Sequence, residues 1–284
     1  MAASESNTKN SLHIRSNSFP SATHPLVSQF EEHLNRLKSS ESASSSSLSQ
    51  KLSGLQDLYD CTDKLLQMSI NQQTIEKECS KKWVDELLDR SLRILDICTA
   101  ARDCLLQSKE SMLELCSLIR RRRGAETGFT VEAGKYLASR KNMKAIRKAF
   151  RNFKGMTYEF PTNRENDILS ILKEAEAVTV STLDSLLTFI SDPKGQLKQN
   201  RWSAISRLIQ PKRVACSEES ESNEFEMVDV ALRSLTRYKL DSSENLQAYM
   251  GNLEICIDDL EAAAESLSRK LIKTRVSLLN IFNH

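Results

Sequence analysis

The sequence predicts an all-α protein, a multi-helix bundle with long antiparallel helices behind a disordered N-terminal tail. Only seven Gly and five Pro interrupt 284 residues, a composition typical of long helices joined by short turns. Apolar residues recur at spacings of three and four through most of the chain, as on one face of a helix. No segment alternates apolar and polar residues for long enough to indicate a sheet.

Residues 1–47 are predicted to be a mostly disordered, serine-rich region with one short helix. The first 23 residues are rich in Ser, Asn and Thr and poor in apolar side chains. A short amphipathic helix is predicted over residues 26–38, with these apolar residues on one face: Val27, Phe30, Leu34 and Leu37. Residues 39–47 have the composition of a serine-rich linker. A single α-helical bundle domain is therefore expected over residues 48–284.

The first part of that domain is predicted to form two helices. Leucines at helical spacing indicate one helix that begins near Leu48 and breaks near residues 69–72. A longer helix is predicted from about Thr74 to Arg123, because apolar residues keep the helical spacing until Gly124, a natural helix end.

The strongest charge feature lies in residues 120–154, where twelve Lys or Arg residues stand against two Glu in a chain of net charge +2. Residues 120–123 are four arginines, placed where cations complement a helix C-terminus. A helix over residues 130–154 follows, with one apolar face: Tyr136, Met143, Ile146, Phe150 and Phe153. The neighbouring basic surface is the candidate binding site for an anionic partner: Arg140, Lys141, Lys144, Arg147, Lys148 and Arg151.

Three further segments complete the predicted bundle. Thr162 and Glu165 form a capping box that opens a helix running to about Ile190, and a shorter helix carries Trp202. Residues 218–229 hold six acids and no Lys or Arg, and are expected to be an exposed loop. The last helix opens at Asp241 and keeps a 3,4 apolar spacing to Ile281, broken only by Thr274. We interpret it as a bundle spine in preference to a coiled-coil seam.

A secretory signal and a membrane span are not expected. An organelle transit peptide is the less favoured interpretation of the Ser-rich N-terminus, because no run of arginines lies on an amphipathic helix there. The first 25 residues lack an apolar core, and the most apolar stretch, residues 177–191, is too short to span a bilayer and contains Asp184. Seven cysteines without a CxxC pair, mostly among leucines, indicate buried free thiols in a reducing compartment. A cytoplasmic protein, at most peripheral to a membrane, is the expected class.

No catalytic, cofactor-binding or metal-binding residues can be assigned from the sequence. The four histidines are scattered, so neither a metal site nor a catalytic relay has a centre. Gly128 and Gly134 resemble part of a phosphate-binding loop, but their spacing is wrong and no strand precedes them. An enzyme whose site is assembled across several helices remains an alternative.

The N-terminal tail carries a candidate phosphosite. Arg15, Ser18 and Pro20 fit the R-S-x-S-x-P pattern that adaptors of the 14-3-3 type bind when the second serine is phosphorylated. Chance occurrence in a serine-rich tail is the other interpretation.

Three stretches resemble the plant BYPASS-related family: residues 13–25 (HIRSNSFPSATHP), residues 92–98 and residues 135–141 (KYLASRK). The similarity spans essentially the whole chain. It implies a mostly helical plant intracellular protein without assigned catalysis, in a family whose founding member is associated with root and shoot development through control of a root-derived mobile signal. The family supplies no active-site residues.

Together these features favour a non-enzymatic interaction or scaffold protein in plant development or signalling. The basic helix leaves several alternatives open. Its charge suits an anionic membrane surface, a calmodulin-like groove or an acidic protein, or it is neutralised internally by the acidic segment. Nucleic acid is unlikely because no known binding motif is present.

Overall fold

The computed structural model of the chain describes residues 24–40, 44–121, 126–154, 168–191, 223–238 and 243–283. These residues form eight α-helices and no strand, so the predicted all-α fold is confirmed for this part of the chain. The helices are α1 (Pro25–Ser39), α2 (Ser45–Leu66), α3 (Ser69–Glu78), α4 (Lys81–Arg121), α5 (Glu126–Lys154), α6 (Ile168–Ser191), α7 (Glu224–Tyr238) and α8 (Ser243–Phe282).

Helix α8 is the spine of the bundle. It runs antiparallel to α4. Lys109 of α4 pairs with Asp258 of α8, whereas the earlier residue Cys98 of α4 has its Sγ 3.3 Å from Oγ of the later residue Ser268 of α8. Every apolar residue of its predicted 3,4 pattern is buried: Leu246, Met250, Leu253, Ile257, Leu260, Ala264, Leu267, Leu271, Leu278 and Ile281. The interpretation of this helix as a bundle spine is therefore confirmed by its packing.

A second long contact joins α8 to α2, and these two helices run parallel. Lys270 Nζ lies 2.6 Å from Asp60 Oδ1, and Thr274 Oγ1 donates to Asp63 Oδ1 at 2.6 Å. Both Thr274 and Asp63 are buried. Thr274, the one break in the apolar pattern of α8, is thus the donor to a carboxylate inside the bundle.

Helix α1 belongs to the same core as the rest of the bundle. A Cβ placed on Gly54 of α2 would lie 3.0 Å from Leu37 Cδ2, so the two helices approach closely at this glycine. Arg36 also lies 3.2 Å from Asp57, and Phe30 and Leu34 are buried in the shared core. The short helix predicted ahead of the bundle domain therefore packs on the same core as that domain.

Two predicted helix boundaries are corrected. The first turn of α2 begins inside the predicted linker, because Ser44 Oγ accepts from the backbone N of Ser47 and Ser47 Oγ accepts from the backbone N of Ser44. The helix predicted from Thr74 is divided at Cys79, whose backbone is extended. Apolar residues such as Ile75 and Trp83 are buried on both sides of this break, which is why the pattern appeared continuous.

The remaining helices pack around this framework. Tyr59 Oη lies 2.9 Å from Thr179 Oγ1, which joins α2 to α6, and Arg90 forms a largely buried ion pair with Glu176 between α4 and α6. Six cysteines within the described ranges are free thiols: Cys61, Cys79, Cys98, Cys104, Cys116 and Cys256. Features predicted around Thr162, Trp202, Cys216 and Asp241 lie outside the described residues.

Candidate anionic-partner surface

Helix α5 presents its apolar face to the bundle and its basic face to solvent. Its apolar residues Tyr136, Met143 and Phe150 are fully buried, and Ile146 is partly buried. It packs against α4 and α6 and meets α7 near its middle, at Arg140. The helix begins at Glu126, a turn before the predicted start, and ends at Lys154 as predicted.

Four exposed cations form what we call the cationic stripe: Lys141, Lys144, Lys148 and Arg151. Their spacings of three, four and three residues place them on one side of α5, over about 15 Å at 1.5 Å per residue. Within the part of the chain that the structure describes, none of the four forms an ion pair. No Asp or Glu follows Glu132 on this helix, so the stripe has no acidic neighbour on α5.

The cation that precedes the stripe is already neutralised. Lys135 Nζ lies 2.7 Å from Glu132 Oε1, and this hydrogen bond raises the pKa of the Lys135 ammonium. Lys135 therefore adds little charge to the surface beyond its own helix turn.

Arg140 does not belong to the exposed surface, which corrects its place in the predicted site. Its side chain is buried, with Nε 3.4 Å from Asp229 Oδ1 and the guanidinium carbon 4.5 Å from the centre of the Phe225 ring. Its Nη1 also lies 3.3 Å from Met143 Sδ. Because α7 covers this position, Arg140 joins α5 to α7 and cannot contact an external partner in this structure. Arg147, the remaining residue of the predicted site, is half-buried at the edge of the stripe.

The contact between α5 and α7 contains a buried pair of opposite charges. Burial raises the pKa of the Asp229 carboxyl, whereas Arg140 and Arg233 act in the opposite direction. Burial also raises the pKa of Tyr136, whose hydroxyl lies in the same region and is disfavoured as an anion by Asp229. The carboxylate and the guanidinium are therefore both largely removed from water, with each as the main counter-charge of the other.

The predicted acidic loop is partly helical. Glu224, Glu226 and Asp229 lie in α7, which begins where Asn223 Oδ1 accepts from the backbone N of Phe225. The carboxylate of Glu224 accepts from Ser45 Oγ at 2.6 Å, which links α7 to the start of α2. Residues 218–222 lie outside the described residues, as do Arg15, Ser18 and Pro20 of the candidate phosphosite.

One feature of this surface was missed from the sequence. Beside the cationic stripe lies a strip of small, exposed side chains: Gly134, Ala138, Ala145 and Ala149. A helical wheel at about 100° per residue places the strip next to Lys141 and Lys148. The spacing of these small residues by four, seven and four positions is a signal in the sequence, although it is weaker than the patterns of the large apolar and charged residues.

Elsewhere among the described residues, a small cavity of about 40 Å³ lies between α2, α4, α6 and α8. Its polar lining comes from Tyr59, Ser91, Glu176, Thr274 and Arg275. A cavity of that size has room for about three water molecules. Within the described ranges, no group of three His, Cys, Asp or Glu side chains has the arrangement of metal ligands. None of the described helices combines the length and apolarity needed to cross a bilayer.

Comparison with known families assigns the chain to one family. The family model described as Protein BPS1 matches residues 51–281, a range that includes α5, the cationic stripe and two of the three resembling stretches. Searches of curated proteins and of solved structures gave no significant match. The match covers most of the chain, and the chain therefore belongs to the plant BYPASS-related family.

Proposed function

We propose that this protein works by contact, as a non-enzymatic interaction or scaffold component of a plant pathway in root and shoot development or signalling. The observation that carries the proposal is the cationic stripe. It is exposed, it has no ion-pair partner among the described residues, and it lies on a helix whose Tyr136, Met143 and Phe150 are already buried in the core.

The stripe has the properties of a docking surface for an anion. Neighbouring like charges at spacings of three and four destabilise a helix by about 0.2–0.5 kcal/mol per pair. An anionic partner would reverse that cost, and the local positive field would speed its encounter. Because Lys141 and Lys144 are exposed, the interaction should weaken as salt screens them.

Helix α7 gives the proposal an internal precedent. Arg140 of α5 already forms an ion pair with an acidic residue of α7, with 3.4 Å between Arg140 Nε and Asp229 Oδ1. The cationic stripe continues the same basic surface beyond that contact. Internal neutralisation by α7 therefore accounts for Arg140. Asp229 also attracts Lys144 without forming an ion pair with it, and the rest of the stripe is left for a second acidic surface.

The runner-up function is peripheral binding to an anionic membrane through the same helix. Each Lys or Arg near an anionic leaflet contributes on the order of 1 kcal/mol, so four stripe residues would favour adsorption. Insertion is disfavoured, because Met143 and Phe150 are buried in the core. Those same buried residues argue against a calmodulin-like groove, which would need the apolar face of α5.

Charge reversal of the stripe tests the proposal. Lys144→Glu combined with Lys148→Glu should remove the main partners found by proximity labelling in plant cells, because it replaces attraction by repulsion. Lys81→Glu combined with Lys82→Glu is the matched control, since both are exposed lysines and the change in net charge is the same. An unchanged set of labelled proteins after the stripe reversal would contradict the proposal. The same labelling reports the compartment, which we expect to be the cytoplasm or a membrane surface facing it.

Phosphorylation of Ser18 is proposed as a second contact. A phosphate adds about 1.5–2 negative charges beside Arg15 and creates the ligand of a 14-3-3-type adaptor. We expect such an adaptor to be recovered by a phosphopeptide around Ser18 and not by the unphosphorylated peptide or the Ser18→Ala peptide. Equal recovery by the three peptides would count against this contact.

A further inference from the structure

We infer that the occupant of the cationic stripe is an acidic α-helix of a partner protein, lying along α5. This inference rests on the proposed function and names the partner class that fits the surface. It depends on the shape beside the stripe as well as on its charge.

The strip of small residues gives that shape. Gly134, Ala138, Ala145 and Ala149 are all exposed, at spacings of four, seven and four residues. A Cβ added to Gly134 would meet no atom within 4 Å, so the space above it is open. The strip extends for about 22 Å at 1.5 Å per residue, the length of four helical turns.

Small side chains allow a second helix to approach closely. Interaxial distances of packed helices are about 8–10 Å and depend on the side chains at the contact. A partner helix seated over Ala145 would therefore lie beside the stems of Lys141 and Lys148. Its acidic residues, spaced by three and four, would face the ammonium groups on one side of the contact.

The contact of α7 with α5 shows this kind of recognition within the molecule. There the acidic first half of α7 places Asp229 against Arg140, and Phe225, one turn earlier, lies under the guanidinium. A partner helix with a carboxylate at matching positions would repeat the arrangement along the stripe. The stripe is more exposed than Arg140, so a reversible contact is expected there.

A membrane fits the same surface less well. Alanine and glycine side chains add little apolar area to an interfacial contact. Tyr136, Met143 and Phe150 of α5 are buried, and among its described side chains Val131 is the one large apolar residue that is mostly exposed. The small strip has no use on a lipid surface, whereas it is what a close helix contact requires. The partner class with both the charge and the shape is therefore an acidic helix.

Ala145→Phe separates these two occupants. The probe is a synthetic helical peptide with Glu at positions i, i+3, i+7 and i+10 and Ala on the adjacent face, tested on the full chain. We expect it to bind about tenfold more tightly than a scrambled peptide of the same composition, and Ala145→Phe to weaken it about tenfold by blocking close approach. Ala262→Phe, at an exposed alanine of α8, is the matched control and should leave binding unchanged.

Vesicles of phosphatidylcholine with and without phosphatidylserine form the second arm. Weak vesicle binding that Ala145→Phe does not alter would support the helix contact. Tighter vesicle binding by the Ala145→Phe variant, with no preference between the two peptides, would instead establish the membrane as the occupant. Equal binding of the two peptides, or an intact affinity after Ala145→Phe and Ala149→Phe, overturns the inference. If Lys144→Glu with Lys148→Glu still changes the labelled partners in cells, the proposed function survives that outcome. If Lys144→Glu with Lys148→Glu has no effect on peptide binding or on the labelled partners, the inference and the proposed function are both contradicted.

Discussion

Asp229→Ala should lower the free energy of unfolding by about 3–5 kcal/mol, the usual cost of removing one partner from a buried ion pair. The substitution leaves the Arg140 guanidinium buried, and the partners that the described residues still offer it are the Phe225 ring and the Met143 sulfur. A desolvated cation over an aromatic ring gains about 2 kcal/mol, which is less than the loss of the counter-charge. Chemical denaturation should show a lower midpoint with an unchanged slope.

The double substitution Arg140→Met with Asp229→Leu is the control for that result. Burial raises the pKa of the Asp229 carboxyl despite the nearby arginines, which shows that desolvation outweighs their attraction. Replacing the whole pair by apolar side chains of similar volume should therefore recover most of the lost stability. A double variant as unstable as Asp229→Ala would show that the pair contributes more than the mutual neutralisation of two buried charges.

Much of this fold follows from local sequence periodicity. The ten apolar residues of α8 and the buried face of α5 were all predictable, because a residue's direction on a helix depends only on its spacing from its neighbours. The position of α1 also follows from nearby residues. These features require no knowledge of which helices pack together.

Features that depend on distant residues were not predictable in this way. Arg140 lies beside Arg147 and Arg151 on the helical wheel, and nothing within α5 marks it as buried. The cause is Asp229 on α7, a residue expected to lie in a loop. The break at Cys79 was hidden for a related reason, since apolar residues keep their spacing across it while α3 and α4 remain separate helices.

The candidate site shows the same division. Periodicity indicated that α5 has a basic side, and the structure then separated Lys141, Lys144, Lys148 and Arg151, which are exposed, from Arg140. The small strip could have been found from the wheel alone. That it is uncovered could not, because the exposure of Ala145 depends on where the other helices lie.

Thr274→Val should lower the free energy of unfolding by about 1.5–3 kcal/mol, the range for a hydrogen bond to a charged group. Valine matches the shape of threonine but cannot donate, so the carboxylate of Asp63 would lose its 2.6 Å hydrogen bond. Asp63 is 1% exposed, so bulk water does not reach its carboxylate to replace the lost donor. By sequence pattern alone, valine would improve the apolar face of α8, so the two arguments predict opposite signs.

Two further variants decide between those arguments. Thr274→Ser keeps the hydroxyl and should retain most of the stability, whereas Lys273→Ala removes only a half-exposed ammonium 3.2 Å from Asp63 and should cost about 0–1 kcal/mol. A stabilised Thr274→Val variant would mean that Asp63 finds another donor, with Lys273 as the nearest candidate. Loss of stability in Thr274→Val with retention in Thr274→Ser would establish that the Thr274 hydroxyl stabilises the contact of α8 with α2 through Asp63.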